Sequence, residues 1–201
     1  MRKALNHLRA ADPILGGIID RIGPSRIHRR PATFDALAHA IVNQQLSGKA
    51  AATIYGRLRA ALGPKGVEPR GILKLGPEKM RGLGISAQKC SYLLDLARKT
   101  HRKEVDLARL PELPDEVILE QLTAIKGIGV WTVHMFLIFA LRRPDVLPTG
   151  DLGIRNAIRK AYNLEKLPLP AEMELMAERW RPYCTVASWY LWRSLEPNAN
   201  L

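Results

Sequence analysis

The sequence predicts an all-α protein. Apolar residues recur at three- and four-residue steps through almost the whole chain, as they do on the buried face of an amphipathic helix. Asp, Ser, Thr or Pro precedes most of these apolar runs, and Gly or Pro follows several of them, which is typical of helix beginnings and ends. No segment alternates apolar and polar residues convincingly, as a half-buried strand would. With 201 residues, the chain is long enough for one large domain or two small ones that share a core.

Helices in the first half of the chain are predicted from the residues that open them. Asp12 and Pro13 begin one helix, Thr33 the next, Ser47 a third and Ser86 a fourth. Between the third and the fourth, a short turn of helix is expected after Pro77 and leads to Gly84. The first helix is expected to end at Gly23, and the third at Gly63 and Pro64.

The second half continues the helical pattern. Asp115 follows a proline and begins a helix that ends at Ile125. After the segment Gly127-Ile128-Gly129, a second apolar helix extends from Val130 to about Leu141. The last helices are predicted from about Leu152 to Tyr162, Pro170 to Arg181 and Thr185 to Leu195.

The composition favours a polyanionic partner. Lys and Arg number 31 against 19 Asp and Glu, for a net charge of +12. Such an excess favours DNA or RNA first and an anionic membrane surface second. The basic residues are spread along the chain and form no long run of the kind found in disordered tails.

Cysteine usage and hydropathy exclude several classes of protein. Cys90 and Cys184 lie far apart, so we do not expect a disulfide framework or a cysteine-ligated zinc or iron–sulfur site. We expect two reduced, buried thiols instead. The N-terminus lacks the apolar run of a signal peptide, and no stretch approaches the ~18–20 apolar residues of a membrane span. We therefore expect a soluble intracellular protein without a membrane partner.

Three short segments point to function. The first is the hairpin Gly127-Ile128-Gly129, whose glycines permit a tight turn and leave backbone N–H groups uncovered at the start of a helix. Such N–H groups bind phosphate, and Lys126 adds a positive charge beside them. An ordinary turn between two helices is the alternative. The second is Asp151, which precedes an amphipathic run and which residue statistics alone assign to a helix cap.

The third segment is the loop Asn43–Ala51, with the sequence NQQLSGKAA. Leu46 stands between polar residues at the predicted tip, where an apolar side chain has no evident structural need. The alternative is a buried loop leucine followed by Ser47 as a helix cap, and the cap role is compatible with either interpretation.

Taken together, QQLSGKAA, LTAIKGIGVWT and PTGDLGIR resemble the helix-hairpin-helix (HhH-GPD) superfamily of base-excision DNA glycosylases. The resemblance runs from about Thr33 to Arg193 and is to the 3-methyladenine DNA glycosylase II type, in the compact form without an N-terminal β-domain. It implies two helical subdomains that flank a DNA-binding cleft. One would span about residues 33–110 and carry the loop with Leu46; the other would join about 1–32 to 111–201 and carry the hairpin and Asp151.

The resemblance implies a catalytic role for Asp151, as the anion beside C1′ when the N-glycosidic bond breaks. Bifunctional members have a lysine where this chain has Trp131, so the product should be an abasic site on an intact strand. Trp131, Trp192 and Met135 would line the pocket for the damaged base, because an indole face attracts the cation of an alkylated purine. Core packing is the alternative for both tryptophans, and Trp180 and Trp189 are assigned to the core.

The remaining implied contacts are with DNA and with an ion. Leu46 would enter the base stack where the damaged base leaves, with Gln45 and Ser47 beside the opposite strand. No cofactor is required, although the family often holds Na⁺ or K⁺ on hairpin carbonyls, here those of Thr123, Ile125 and Ile128. The DNA phosphate contacts implied are Lys49, Lys126, Gly127, Gly129, Val130 and Thr132.

The expected partner is double-stranded DNA that contains alkylated bases, bound by a monomer. The expected location is the cytoplasm (nucleoid) of a prokaryote or the nucleus of a eukaryote. Two other functions stay open: a non-catalytic helix-hairpin-helix DNA-binding protein, and a glycosylase for other damaged bases, which Trp131 disfavours. The preferred lesion among 3-methyladenine, 7-methylguanine, ethenoadenine and hypoxanthine is not determined by the sequence.

Overall fold

The structure is a computed structural model that describes residues 1–24, 27 and 31–196, and over these residues it contains eleven α-helices and no strand. The predicted all-α class is therefore confirmed. Short 3₁₀ turns occur at Gly63–Lys65, Leu110–Glu112 and Glu178–Trp180. The helices are α1 (Arg2–Ala11), α2 (Pro13–Ile22), α3 (Phe34–Asn43), α4 (Gly48–Leu62), α5 (Pro69–Gly82), α6 (Ala87–His101), α7 (Asp115–Thr123), α8 (Val130–Phe136), α9 (Leu152–Ala161), α10 (Pro170–Ala177) and α11 (Cys184–Arg193).

The predicted helix starts coincide with observed caps. The Asp12 side chain accepts the N–H groups of two residues in the first turn of α2. Thr33, Ser47 and Ser86 each accept the N–H of the residue three positions later, at the beginnings of α3, α4 and α6. These side chains satisfy backbone donors that have no acceptor within their own helix, which is why local sequence locates the helix beginnings so well.

The structure differs from the sequence prediction in two helices. Helix α1 precedes Asp12, whereas the sequence marked only the helix that follows it. Helix α5 begins at Pro69, well before the short turn predicted after Pro77. Gly76 has a non-helical conformation (φ 73°, ψ 167°) that interrupts α5, because the proline after it disfavours helical geometry. Only the part of α5 beyond this kink was predicted.

The chain forms two compact units. The terminal unit joins Met1–Arg29 to Leu137–Leu201, and the middle unit comprises Arg30–Phe136. The resemblance implied a middle segment that ends near residue 110. The observed middle unit extends beyond that point and includes the hairpin. Residues of α6 form hydrogen bonds with Ala124 and Lys126, just before the hairpin.

Each unit has its own apolar core. In the terminal unit, α2 packs against α1 and α11, and α11 packs against α9. Trp180 and Tyr190 are fully buried in the core of this unit. In the middle unit, α5 lies along α6, α3 packs on α4 and α6, and α7 on α8. Cys90 and Cys184 are buried free thiols, as predicted. No helix in the described part of the chain is both long enough and apolar enough to cross a membrane.

Candidate active site

Asp151 caps helix α9 with an oxygen that also receives a hydrogen bond from an indole. Its Oδ1 accepts the Ile154 N–H at 2.8 Å and the Trp192 Nε1–H at 2.9 Å. The carboxylate is half-buried, and it lies at the positive end of a helix dipole, which favours an anion. The predicted cap is confirmed, and the same geometry holds the carboxylate in one orientation.

Gly153 makes the approach of Trp192 to Asp151 possible. A Cβ atom at this position would lie 2.9 Å from Asp151 Oδ1 and 3.2 Å from Trp192 Cδ1. Both separations are closer than ordinary carbon contacts, so a larger residue would displace the carboxylate or the indole. Sequence reasoning did not single out Gly153, although a glycine two residues after the candidate Asp was visible in PTGDLGIR.

Trp192 is held by stacking as well as by its hydrogen bond. Its ring lies against that of Phe139, with centroids 6.0 Å apart and planes 23° from parallel. Phe139 belongs to a π-helical turn, Leu137–Leu141, that continues α8. The sequence predicted Trp192 as a wall of the base pocket. The structure gives its indole N–H a specific role, because that group donates to the carboxylate proposed for catalysis.

The predicted hairpin connects α7 to α8 in the middle unit. Ile125 and Ile128 are buried, and the Ile128 N–H donates to the Ile125 carbonyl at 3.1 Å. Gly127 has a positive φ of 79°, which only glycine adopts readily. A Cβ at Gly127 would fall 2.1 Å from the ring of Tyr92, so the turn also needs a small residue for packing.

The outer face of the hairpin presents the residues predicted to contact phosphate. Lys126, Gly129 and Val130 are exposed. Thr132 has a buried side chain, so a phosphate contact there would fall to its backbone N–H in the first turn of α8, where helix geometry leaves N–H groups without an intrahelical acceptor. Lys49, in the first turn of α4, is exposed.

Trp131 lies in the first turn of α8 with 49% of its surface exposed. That exposure argues against the core-packing interpretation, which does hold for the fully buried Trp180. Met135, one helical turn after Trp131, is half-buried. Trp189 is also half-buried, with its ring edge against Tyr190.

The loop between α3 and α4 exposes the residues predicted to enter DNA. Leu46 is 38% exposed, which contradicts the alternative of a buried loop leucine. Gln45 has a positive φ of 55°, unusual for a residue other than glycine, and is exposed. Ser47 caps α4 through its Oγ, which accepts the Ala50 N–H. The loop therefore combines the predicted cap with an exposed leucine.

The carbonyls predicted to hold a monovalent cation lie in and just before the hairpin. Ile128 is buried and Thr123 half-buried, and the Ile125 carbonyl already accepts the Ile128 N–H. Within residues 1–24, 27 and 31–196, no three His, Cys, Asp or Glu side chains are grouped so that they could hold a metal ion.

Comparison with known proteins gives the family. Residues 38–182 match the HhH-GPD superfamily of base excision DNA repair proteins. The chain belongs to this superfamily. The family resemblance predicted from the three sequence motifs is therefore confirmed.

The relatives of this HhH-GPD chain include curated glycosylases. It is 35% identical to DNA-3-methyladenine glycosylase 1 of Schizosaccharomyces pombe over 199 residues, which cover 96% of this chain and 87% of the relative. It is 36% identical over 171 residues to YfjP of Bacillus subtilis, a provisionally named DNA-3-methyladenine glycosylase. That match covers 82% of this chain, which spans only 60% of the length of the Bacillus protein.

One solved relative of this HhH-GPD chain contains DNA. The structure of a Schizosaccharomyces pombe 3-methyladenine DNA glycosylase in complex with abasic DNA is similar to this chain with a TM-score of 0.83 and 34% identity. The similarity covers 98% of each chain.

The packing of Gly127 leads to a prediction about DNA binding by this HhH-GPD chain. Gly127→Ala would force the hairpin away from Tyr92 and strain its backbone, so we expect the affinity for damaged and undamaged duplexes to fall alike, by about tenfold or about 1.4 kcal/mol. Fluorescence anisotropy with the two duplexes measures this.

Gly129→Ala is the matched control, since a Cβ there meets no protein atom within 4 Å. A loss at position 129 would report the close approach of DNA and not a deformed hairpin. If Gly127→Ala weakened only the binding of damaged DNA, the hairpin would be part of the base pocket and the phosphate role would be wrong.

Proposed function

We propose that this chain is a monofunctional DNA glycosylase that removes alkylated purines from double-stranded DNA and leaves an abasic site. The observation that carries the proposal is the Asp151 carboxylate, which the α9 N-terminus and the Trp192 indole hold in one orientation. A helix cap needs no indole donor. Membership of a base excision repair superfamily supports the same function.

The proposed reaction breaks the bond between C1′ of the deoxyribose and a purine nitrogen. The bonding electrons leave with the base, so the sugar develops positive charge near C1′, and the negative Asp151 carboxylate stabilises that charge. Water then attacks C1′ and loses its proton, which Asp151 is suited to accept. An N3- or N7-alkylated purine is cationic before cleavage and leaves as a neutral base, which makes it a good leaving group.

Strand cleavage by a covalent route is not part of the proposed reaction. Such a route requires an amine that attacks C1′ and forms a Schiff base. Trp131 occupies the position that bears this lysine in bifunctional relatives, and an indole cannot form that bond. This substitution also disfavours the alternative of a glycosylase for oxidised bases.

Binding to DNA is proposed to use the exposed face of the hairpin and the loop with Leu46. Backbone N–H groups at a helix N-terminus and the side chains of Lys126 and Lys49 suit phosphate oxygens. Phosphate binding of this kind weakens steeply as salt rises, because counterions are released from DNA. Leu46 would fill the space that the extruded base leaves, and Gln45 would contact the opposite strand or base. Hairpin carbonyls of Thr123, Ile125 and Ile128 are proposed to accept Na⁺ or K⁺.

We propose that a monomer acts on each lesion. A single damaged base has no two-fold symmetry, so it offers no pair of equivalent half-sites to a dimer. The proposed place of action is wherever chromosomal DNA lies, the nucleoid of a prokaryote or the nucleus of a eukaryote.

Release of free bases from duplex DNA tests this function. The protein is incubated with methylated DNA and, separately, with duplexes containing hypoxanthine or ethenoadenine, and the released bases are separated by chromatography. We expect 3-methyladenine, 7-methylguanine or both to be released by the wild type, and Asp151→Asn to release no more than buffer does. If the chain binds these duplexes but releases no base, the non-catalytic alternative is correct.

Trp131 is predicted to discriminate between charged and neutral lesions. Trp131→Ala removes stacking for every base but removes the cation–π attraction only for charged ones. That attraction is at most about 2 kcal/mol, so excision of 3-methyladenine or 7-methylguanine should fall up to roughly thirtyfold more than excision of hypoxanthine or ethenoadenine. Single-turnover rates on the four duplexes measure the difference.

Trp131→Phe is the matched comparison, because it keeps an aromatic face with a weaker attraction for cations. It should preserve excision of neutral lesions better than that of charged ones. Equal losses for both kinds of lesion in Trp131→Ala would rule out charge recognition and leave shape and stacking as the basis of selection.

A further inference from the structure

Helix α6 contacts both of the elements that are proposed to touch DNA in the middle unit. Lys89, Tyr92, Asp95 and Lys99 are spaced by three, three and four residues, so they lie along one stripe of the helix. Lys89 reaches the end of α3, next to the Leu46 loop, and the other three reach the hairpin. None of these four side chains was singled out from the sequence.

Lys89 holds the beginning of the Leu46 loop. Its Nζ donates to the Val42 carbonyl at 2.7 Å and to the Gln44 carbonyl at 2.6 Å. These carbonyls lie at the C-terminal end of α3, where helix geometry leaves acceptors unsatisfied and the helix dipole favours a cation. Partial burial lowers the pKa of the Lys89 ammonium group, and the two carbonyls supply hydrogen-bond acceptors in place of water.

The hairpin is held at three points further along α6. The Tyr92 ring packs against Gly127, and Asp95 accepts the Lys126 N–H at 2.9 Å. Lys99 donates to the Ala124 carbonyl and forms an ion pair with Asp95. Partial burial opposes ionisation of Asp95, but the hydrogen bonds from Lys126 and Lys99 outweigh it and lower the pKa of the carboxyl group.

Gln44 connects the two elements directly. Its Nε2 donates to the Gly127 carbonyl at 2.7 Å, across 83 residues of sequence. The loop and the hairpin are thus joined to each other by Gln44 and to the same helix by Lys89 and by the Tyr92–Asp95–Lys99 group. Leu46 lies two residues after Gln44.

We infer that Lys89 and Gln44 are positioning residues that hold the Leu46 loop at a fixed distance from the hairpin, so that the contact of the hairpin with the DNA backbone determines where Leu46 enters the base stack. This inference rests on the proposed function. The entry of Leu46 into the base stack must offset part of the few kcal/mol that unstacking a base costs. A loosely held loop would move away from the DNA and leave the bases stacked.

The test separates entry into the stack from binding and from chemistry. Lys89→Met keeps the length of the side chain and removes both hydrogen bonds. We expect its single-turnover excision of a methylated purine to fall about tenfold in duplex DNA and less than twofold in a single strand, where there is no opposite strand to separate. Its affinity for undamaged duplex should equal that of Lys74→Met, which removes the same charge from an exposed position on α5.

A fluorescent base reports entry into the stack without chemistry. A duplex with 2-aminopurine beside a tetrahydrofuran abasic site should brighten when the wild type binds, and the increase should be less than half as large with Lys89→Met at saturating protein. Lys89→Arg, which still donates to two carbonyls, should restore most of it.

Gln44→Met should reproduce the duplex-specific loss while leaving Lys89 in place. In the double variant with Lys89→Met, the loss should be smaller than the sum of the two single effects, because both residues act on one loop. The Gln44→Met single variant still tests the inference if Lys89→Met proves unstable to heat.

Equal losses of excision on duplex and single-stranded DNA would overturn the inference. So would a Lys89→Met variant whose excision rate on duplex DNA and 2-aminopurine signal both equal those of Lys74→Met. Failure of the wild type to excise any methylated purine would instead contradict the proposed function. The 2-aminopurine signal would still decide the role of Lys89 and Gln44 in that case.

Discussion

Replacing Asp151 by Asn should lower the single-turnover rate of excision at least about a thousandfold, because the change removes the negative charge that stabilises the developing cation at C1′. The fold should be unaffected. Asn is as good a helix cap as Asp, and its amide oxygen still accepts the N–H groups of Ile154 and Trp192. The rate is measured with excess protein on a duplex with one 7-methylguanine.

Binding separates the two roles of Asp151. Affinity of Asp151→Asn for lesion DNA should stay within about tenfold of the wild type, because the charge acts on the transition state more than on the bound substrate. Asp151→Ala is the structural comparison: it also loses the cap, so it should unfold with about 1 kcal/mol less free energy. If Asp151→Asn kept more than about a tenth of the wild-type rate, Asp151 would be only a helix cap.

Trp192→Phe isolates the indole donor near the same carboxylate. Phenylalanine can keep the stacking on Phe139 but cannot donate to Asp151 Oδ1. The single-turnover rate of Trp192→Phe should lie between the rates of the wild type and Asp151→Asn. The negative charge of Asp151 remains in this variant, but the orientation of the carboxylate is less well held. A rate equal to that of the wild type would show that the hydrogen bond does not position the carboxylate.

Asp12→Asn should produce the largest loss of stability, about 3 kcal/mol in the free energy of unfolding. Asp12 is 1% exposed. Its Oδ1 caps α2, and its Oδ2 accepts the Tyr162 hydroxyl and the Trp180 Nε1–H. In the variant, the amide NH₂ group would take the place of Oδ2 and could not accept the Trp180 N–H, which would stay buried without an acceptor. Urea unfolding at neutral pH measures the loss, and Tyr162→Phe, which removes one donor only, should cost about 1 kcal/mol.

The contribution of Asp12 should depend on pH with a definite sign. Burial alone would raise the pKa of its carboxyl group, but the hydrogen bonds from Tyr162 and Trp180 outweigh burial and lower the pKa below the ordinary value of 3.8. A depressed pKa in the folded state means that the stabilisation is complete above the unfolded value and is lost as the pH falls through the folded one. The stability difference between the wild type and Asp12→Asn should therefore shrink below pH 3.8. A difference that stayed constant down to acid unfolding would contradict this account.

Sequence reasoning located most helices because their beginnings depend on local contacts. The side chains of Asp12, Thr33, Ser47 and Ser86 cap helices by binding N–H groups two or three residues away, so short segments of sequence contain the necessary information. Helix α5 was predicted only in part, because the interruption at Gly76 and Pro77 obscured the helix that begins at Pro69.

The sequence motifs named the candidate site residues but not the long-range contacts that hold them. Asp151 and Leu46 stand in recognisable motifs, but the hydrogen bond from Trp192 spans 41 residues and that from Gln44 to the hairpin spans 83. Contacts over such separations depend on tertiary packing, which local patterns do not contain. The need for glycine at position 153 likewise becomes apparent only when the Trp192 ring is in place.

The measurement that tests the central claim most directly is the product formed from one end-labelled duplex with a single 7-methylguanine. After incubation with the wild-type protein, the sample is divided into an untreated part, a part treated with alkali and a part treated with borohydride. The proposed function predicts an intact strand without treatment, a break at the lesion after alkali, and no protein–DNA adduct with borohydride. A strand that resists alkali, a nick that forms without it, or a trapped covalent adduct would contradict monofunctional excision by this chain.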